Sequence, residues 1–107
     1  MKLIFAIVDQ EDASTVAQNL ARRGFSSTKL STTGGFLLSS NVTLMIGVED
    51  RMVQTVIDLI HTFSHSRKQA MPADSELNFG YYANSQVEVT VGGATIFVVD
   101  VDRFERV

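Results

Sequence analysis

Three short apolar segments constrain the fold of this chain more than any other feature. They read LIFAIV (Leu3–Val8), VTLMIGV (Val42–Val48) and TIFVV (Thr95–Val99), and they are rich in the β-branched and aromatic residues that favour strands. Each is apolar on both of its faces, whereas a strand with one face in water alternates apolar and polar residues. The sequence therefore predicts a sheet that must be covered on both sides.

Two segments with helical spacing lie between these strands. The apolar positions of the first are Ala13, Val16, Ala17, Leu20 and Ala21. Asp9 or Asp12 is placed to cap its start, and Gly24 is placed just after its last turn. The second helix is predicted from Arg51, with Asp50 as its cap and a wide apolar stripe that ends near residue 65.

The remaining segments complete the element order. Phe25–Thr33 is predicted as a less apolar strand, and Gln86–Val91 alternates Val with Glu and Thr as a half-exposed strand does. The pair Gly92-Gly93 is typical of a tight hairpin turn into a last strand, Ala94–Val101. Residues 66–85 are predicted as a long polar loop, either functional or disordered, and residues 102–107 as one helical turn.

The predicted order is β-α-β-β-α-β, with the last strand expanded into a C-terminal β-hairpin. This is the α+β, ferredoxin-like arrangement, in a single domain over residues 1–107. Both helices of that fold cover one face of the sheet, so its second apolar face needs another partner. We expect other copies of the chain to cover it, in a homo-oligomer.

Composition excludes several classes of function. The chain has no cysteine, which excludes disulfides, thiolate metal sites and a cysteine nucleophile. Its net charge of -3 disfavours sequence-independent binding to nucleic acid polymers. The apolar opening is followed at once by acidic residues and has no cleavage site of small residues, so it is not read as a signal peptide. We expect a cytoplasmic protein with no membrane span.

The segment between the second and third predicted strands has unusual contents. Gly34 and Gly35 can turn backbone N–H groups towards an anion, and the apolar pair that follows offers a platform for a base. Thr28 and Asn41 add a hydroxyl and an amide. These features fit a ligand of nucleotide size, but they also fit a plain hairpin loop whose apolar pair packs locally.

Other residues with chemical potential have simpler interpretations. His61 and His65 share a helix face, but a zinc site needs three or more ligands and no neighbouring motif completes one. The carboxylates of Asp9, Glu11 and Asp12 are expected at a helix start. With no Ser-His-Asp order, Walker loop or nucleophile elbow, we predict no catalytic residue, metal or cofactor.

Three runs of the sequence resemble the PII-like cyclic di-AMP receptor proteins of Gram-positive bacteria. They are TKLSTTGGFLLSSNVTLMIGVED, the opening MKLIFAIV and the closing VEVTVGGATIFVVDVDRF, and only residues 66–85 match poorly. The resemblance implies a homotrimer that binds cyclic di-AMP at each subunit boundary without turning it over. It leaves the downstream protein partner unknown.

The resemblance also implies a set of ligand contacts, namely Ser26, Thr28, Gly35, Phe36, Leu37, Asn41, Gly47 and Gly92. Thr28 would contact a phosphate. Phe36 and Leu37 would pack on an adenine, and Asn41 would form a hydrogen bond with the edge of an adenine. Ser26 stands where the family pattern leads us to expect an arginine. Lys29, Arg22 or Arg23 could supply the missing charge.

Two alternatives remain at this point. One is a PII-like sensor of ATP or ADP. The sequence shows no strongly basic cluster to bind a triphosphate, which disfavours this alternative. The other is a small ferredoxin-like enzyme or metal-binding protein, for which the histidine pair is the only indication.

Overall fold

The computed structural model describes residues 1–30, 41–72 and 86–107. Its helices are α1 (Gln10–Arg22) and α2 (Val53–Ser64), the latter preceded by a 3₁₀ turn over Asp50–Met52; its strands are β1 (Lys2–Asp9), β2 (Thr28–Leu30), β3 (Asn41–Val48), β4 (Arg67–Pro72), β5 (Gln86–Val91) and β6 (Ala94–Asp100). Neither helix of this described part has the length and apolar content needed to cross a membrane.

Four strands form the main sheet, in the order β2-β3-β1-β6. Each neighbouring pair is antiparallel, and β1 pairs with β3 along one edge and with β6 along the other. With α1 and α2 packed together on one face, this arrangement is compatible with the predicted ferredoxin-like fold.

The core lies between that face and the two helices. Alternate residues of the central strands point into it, and the fully buried members from β1, β3 and the helices are Ile4, Ala6, Val8, Leu44, Ile46, Val16, Leu20, Val56 and Ile60. Complete burial of one such aliphatic side chain contributes about 1.5–3 kcal/mol, so this layer supplies most of the stability that holds the helices on the sheet.

Both ends of α1 form as predicted. The Asp9 carboxylate accepts a hydrogen bond from the Glu11 N–H at 3.0 Å, which caps the helix start. At the other end the Phe25 N–H donates to the Leu20 carbonyl at 2.9 Å, and Gly24 takes a φ of 86°. This is a Schellman motif, and it occupies the Phe25 backbone. The second strand consequently begins at Thr28, not at Phe25 as predicted.

The predicted capping role of Asp50 is wrong. Asp50 lies inside the 3₁₀ turn, and its carboxylate pairs with the amino terminus of Met1 at 2.8 Å. Hydrogen bonding to that ammonium group lowers the pKa of Asp50 below its ordinary value. The carboxylate is thus engaged in a charge-assisted pair, and the α-helix begins only at Val53.

The predicted C-terminal hairpin is also wrong. β5 pairs with β4, not with β6, in a separate two-stranded antiparallel sheet with Arg67 opposite Val91. Residues 67–72 of the predicted loop are therefore a strand, while Tyr81, Tyr82 and the rest of 73–85 lie outside the described residues. We call β4 and β5 together the β4–β5 arm. The predicted helical turn at residues 102–107 does not form.

The second face of the main sheet is apolar, as predicted. We call it the open face and define it by Leu3, Phe5, Met45, Phe97 and Val99, which the strand register aligns side by side. Phe97 is 48% exposed and Val99 is 42% exposed, values high for large apolar side chains in the middle of a strand.

Candidate ligand-binding site

A cleft of about 800 Å³ lies at one end of the open face. We call it the main cleft, and its lining includes Leu3, Ser26, Thr28, Met45, Gly47 and Phe104. The sheet register explains this grouping, because Thr28 lies opposite Met45 and Leu3 lies opposite Gly47. Three of the predicted ligand contacts therefore share one cleft.

The chemistry of the main cleft is mixed. Met45 and Leu3 give it an apolar floor, while the exposed Ser26 and Thr28 supply hydroxyl groups at its edge. The volume falls within the range of small-molecule sites, about 300–1,000 Å³. Such a cleft can hold an apolar ring system against its floor and an anionic group at its hydroxyl edge.

The fold does not require glycine at position 47, and the missing side chain leaves open space in this cleft. Its φ is not positive, and a Cβ built on it would have no atom of another residue within 4 Å. The main chain of β3 is thus open to an approaching ligand at this point. The implied role of Gly47 as a ligand contact stays a prediction.

Asn41 and Gly92 lie in a second, smaller cavity of about 340 Å³. We call it the small cavity; Asp9, Ser66, Gly93 and Thr95 also line it. Asn41 starts β3 opposite Asp9, and Gly92 joins the β4–β5 arm to β6. The small cavity therefore lies at the base of the arm.

Gly92 has a structural role that the sequence did not reveal. Its φ is 78°, and a Cβ built on it would overlap Nη1 of Arg67 and lie 2.8 Å from the His65 carbonyl oxygen. A side chain at this position would therefore collide with the root of the arm. Glycine is required here by the fold, whether or not a ligand also approaches it.

The two groups of predicted contacts lie at opposite ends of β3. Asn41 and Gly47 are six positions apart in that strand, which corresponds to about 20 Å at ~3.3 Å per residue. The remaining predicted contacts, Gly35, Phe36 and Leu37, lie outside the described residues. Among the described residues, one chain does not bring the predicted set into one cavity.

The predicted replacements for an arginine at position 26 do not line the main cleft within the described ranges. Lys29 lies opposite Leu44, a core residue, so it belongs to the helix-facing side of the sheet. The described cation that does line the cleft is Arg106. Sequence reasoning missed it, and also Phe104, because both were assigned to a tail with no predicted site.

Arg67 was missed as well. Its guanidinium binds both carboxylate oxygens of Asp12, with Nη2–Oδ1 at 2.9 Å and Nη1–Oδ2 at 3.2 Å. This hydrogen bonding raises the pKa of Arg67 above its ordinary value. Asp12, predicted as a possible helix cap, is instead 7% exposed and joins α1 to the β4–β5 arm.

Within the described residues, the histidine pair has no third partner of the kind that a metal site needs. The ring centroids of His61 and His65 are 6.1 Å apart, and they line a different cavity from the main cleft. Across the part of the chain that the structure describes, no group of three or more His, Cys, Asp or Glu residues is arranged to hold a metal ion.

Comparison with known proteins decides the family. The model of the cyclic-di-AMP receptor family matches residues 1–107, which is the whole sequence. This chain belongs to the cyclic-di-AMP receptor family. The resemblance seen in the sequence is thereby confirmed, and the main cleft and small cavity become candidate parts of a receptor's ligand site.

A solved structure supports the fold of this receptor. It is the crystal structure of a functionally unknown protein from Pediococcus pentosaceus ATCC 25745, 40% identical in sequence, with a TM-score of 0.78. The match covers 99% of this chain and 96% of that one. The two proteins therefore share their architecture over essentially their full lengths.

Proposed function

We propose that this chain is a non-enzymatic, PII-like receptor that binds cyclic di-AMP between the subunits of a homotrimer. Binding changes the conformation of loops that contact a protein partner. Family membership supports the ligand. One observation supports a site between subunits: the predicted contacts form two groups at opposite ends of β3. Asn41 and Gly92 lie at one end, and Ser26, Thr28 and Gly47 lie at the other.

That separation has a simple resolution in an oligomer. The main cleft of one subunit meets the small cavity of its neighbour, so that one ligand contacts both groups. A closed ring of identical subunits gives every ligand site the same two halves. The ligand then stabilises the contact between subunits as well as each subunit's loops.

The open face supports assembly by the same argument. Phe97 and Val99 are nearly half exposed on it, and β6 is an edge strand of the main sheet in the described structure. A contiguous apolar face of this kind is characteristic of a protein–protein interface. In the proposed trimer the three open faces pack together.

The chemistry of the main cleft suits binding more than turnover. Among the described residues it offers the Ser26 and Thr28 hydroxyls and the Glu49 carboxylate, but neither hydroxyl is hydrogen-bonded to that carboxylate, and both histidines line another cavity. A hydroxyl needs an adjacent general base to act as a nucleophile. In the proposed complex these hydroxyls donate hydrogen bonds to a phosphate, and no bond of the ligand is broken.

Signalling follows from the location of the small cavity. It lies at the base of the β4–β5 arm, so a ligand there contacts the point where the arm joins the main sheet. Among the conformations of residues 33–41 and 66–85, such a ligand favours those that it binds best. The proposed partner recognises that conformation.

Calorimetry tests the proposed function directly. The protein is titrated with cyclic di-AMP, cyclic di-GMP and ATP, and its mass in solution is measured by light scattering. We expect a trimer that binds one cyclic di-AMP per chain and discriminates against the other two nucleotides. A folded protein that gives no heat with cyclic di-AMP contradicts the proposal, and tighter binding of ATP favours a sensor of adenosine phosphates.

A further inference from the structure

We infer that residues 101–107, which we call the C-terminal segment, form one wall of the cyclic di-AMP site, with Arg106 as its phosphate-binding cation. This inference rests on the proposed function. The carrying observation is that Phe104 and Arg106 line the main cleft together with Ser26 and Thr28.

The C-terminal segment is held at the cleft by its first residue. The Val101 N–H donates to the Met1 carbonyl oxygen at 3.2 Å, and both residues line the main cleft. Lys2 pairs with Asp100 immediately beside this contact. The segment therefore leaves the sheet at a fixed point, next to the strand row that contains Leu3 and Gly47.

The charges along the segment single out Arg106. Arg103 is already paired with Glu105, and neither residue lines the cleft. Arg106 does line it, and none of the ion pairs among the described residues includes Arg106. The acidic lining residue is Glu49, at the end of β3. A guanidinium beside two hydroxyls makes a complementary site for a phosphodiester.

Phe104 supplies the second part of the wall. It is 60% exposed, an unusual state for an aromatic ring that borders a cleft with an apolar floor. Adenine rings stack on such aromatic faces, and each base–aromatic contact contributes measurably to affinity. The segment thus presents a ring and a cation two positions apart, as a nucleotide presents a base and a phosphate.

The test compares two arginines of the same segment. Arg106→Gln and the matched control Arg103→Gln remove one positive charge each, and cyclic di-AMP binding is measured by calorimetry at low and high salt. We expect Arg106→Gln to weaken binding by about tenfold to a hundredfold, as the loss of a charge-assisted hydrogen bond does. Arg103→Gln is expected to stay within about twofold, since its pair is exposed.

Two further readouts separate ligand contact from a general effect on the fold. The affinity of Arg106→Gln should depend less on salt than that of the wild type, and Arg106→Lys should recover part of the loss. Phe104→Leu should weaken binding by about tenfold while leaving the melting temperature and the mass in solution unchanged.

The outcomes distinguish this inference from the proposed function. If the wild type binds cyclic di-AMP and Arg106→Gln binds it equally well, the inference is wrong and the proposed function stands. If the two arginine variants weaken binding equally, the effect is one of net charge and the inference is again wrong. If the folded wild type does not bind the nucleotide, both fail.

Discussion

The Arg67 guanidinium and the Asp12 carboxylate form a two-bond ion pair across 55 positions of sequence. Nη1 of Arg67 also donates to the His65 carbonyl oxygen at 3.3 Å, so a single side chain connects α1, the end of α2 and β4. This contact fixes the root of the β4–β5 arm beside the small cavity.

Asp12→Asn should loosen that root. Asn cannot accept two charge-assisted bonds from Arg67, and the guanidinium loses its counterion. We expect a melting temperature lower by several degrees and faster amide hydrogen exchange in β4 and β5 than in β1 and β3. Glu105→Gln, which removes an exposed pair, is the control and should leave both measurements unchanged. Uniformly faster exchange in every strand would contradict a local role.

Gly92 and Gly93 offer a matched pair of substitutions. Both have positive φ, 78° and 86°, so Ala is strained at either position. Only at Gly92 would the new Cβ also collide with Arg67 and with the His65 carbonyl, since the nearest atom to a Cβ at Gly93 is 3.7 Å away.

Chemical denaturation measures the difference. Gly93→Ala should lower the free energy of unfolding by about 1–2 kcal/mol through backbone strain alone. Gly92→Ala should lower it further, because the overlap forces the Arg67 side chain or the backbone to shift. Equal losses in the two variants would show that the contact between Gly92 and Arg67 does not constrain the fold.

Gly47 should behave in the opposite way. It lies in β3 with open space around it, so Gly47→Ala should leave the free energy of unfolding unchanged or raise it by about 0.5–1 kcal/mol. If the ligand approaches the main chain at this point, the same substitution should weaken cyclic di-AMP binding at least tenfold. Unchanged binding would remove Gly47 from the proposed site.

Phe97→Asp tests the open face. The side chain is 48% exposed and lies beside Phe5, so a carboxylate there is tolerated by a monomer but not in a packed apolar interface. We expect the mass in solution to fall from that of a trimer to that of a monomer, with loss of ligand binding. Gln18→Asp, on the exposed surface of α1, is the control and should remain a trimer.

Local sequence patterns predicted the main elements well. The apolar periodicities of Leu3–Val8 and Val42–Val48 correspond to β1 and β3, each observed within one residue of the predicted bounds. Asp9 caps the start of α1 and Gly24 follows its end, both as expected, because capping depends on residues within a few positions of each other. The family was also correctly identified from runs of sequence.

Pairing between distant segments was predicted less well. Gly92-Gly93 has the composition of a hairpin turn, but β5 pairs with β4, and the two glycines redirect the chain into β6. The alternating pattern of β5 shows that it is a strand but does not identify its partner. Asp12 and Asp50 likewise have the residue type of helix caps but form ion pairs with distant groups. Asp12 pairs with Arg67, and Asp50 pairs with the amino terminus.

The sequence by itself determined both helices and most of the strands, though not β4, and also which sheet face is apolar beyond the helices and to which family the chain belongs. These properties follow from local periodicity and from residue identity. Only the tertiary structure showed that Ser26, Thr28 and Gly47 share a cleft with Arg106 while Asn41 and Gly92 lie at the other end of β3. That grouping depends on strand register and on the path of the chain after β6, which bring together residues about 80 positions apart.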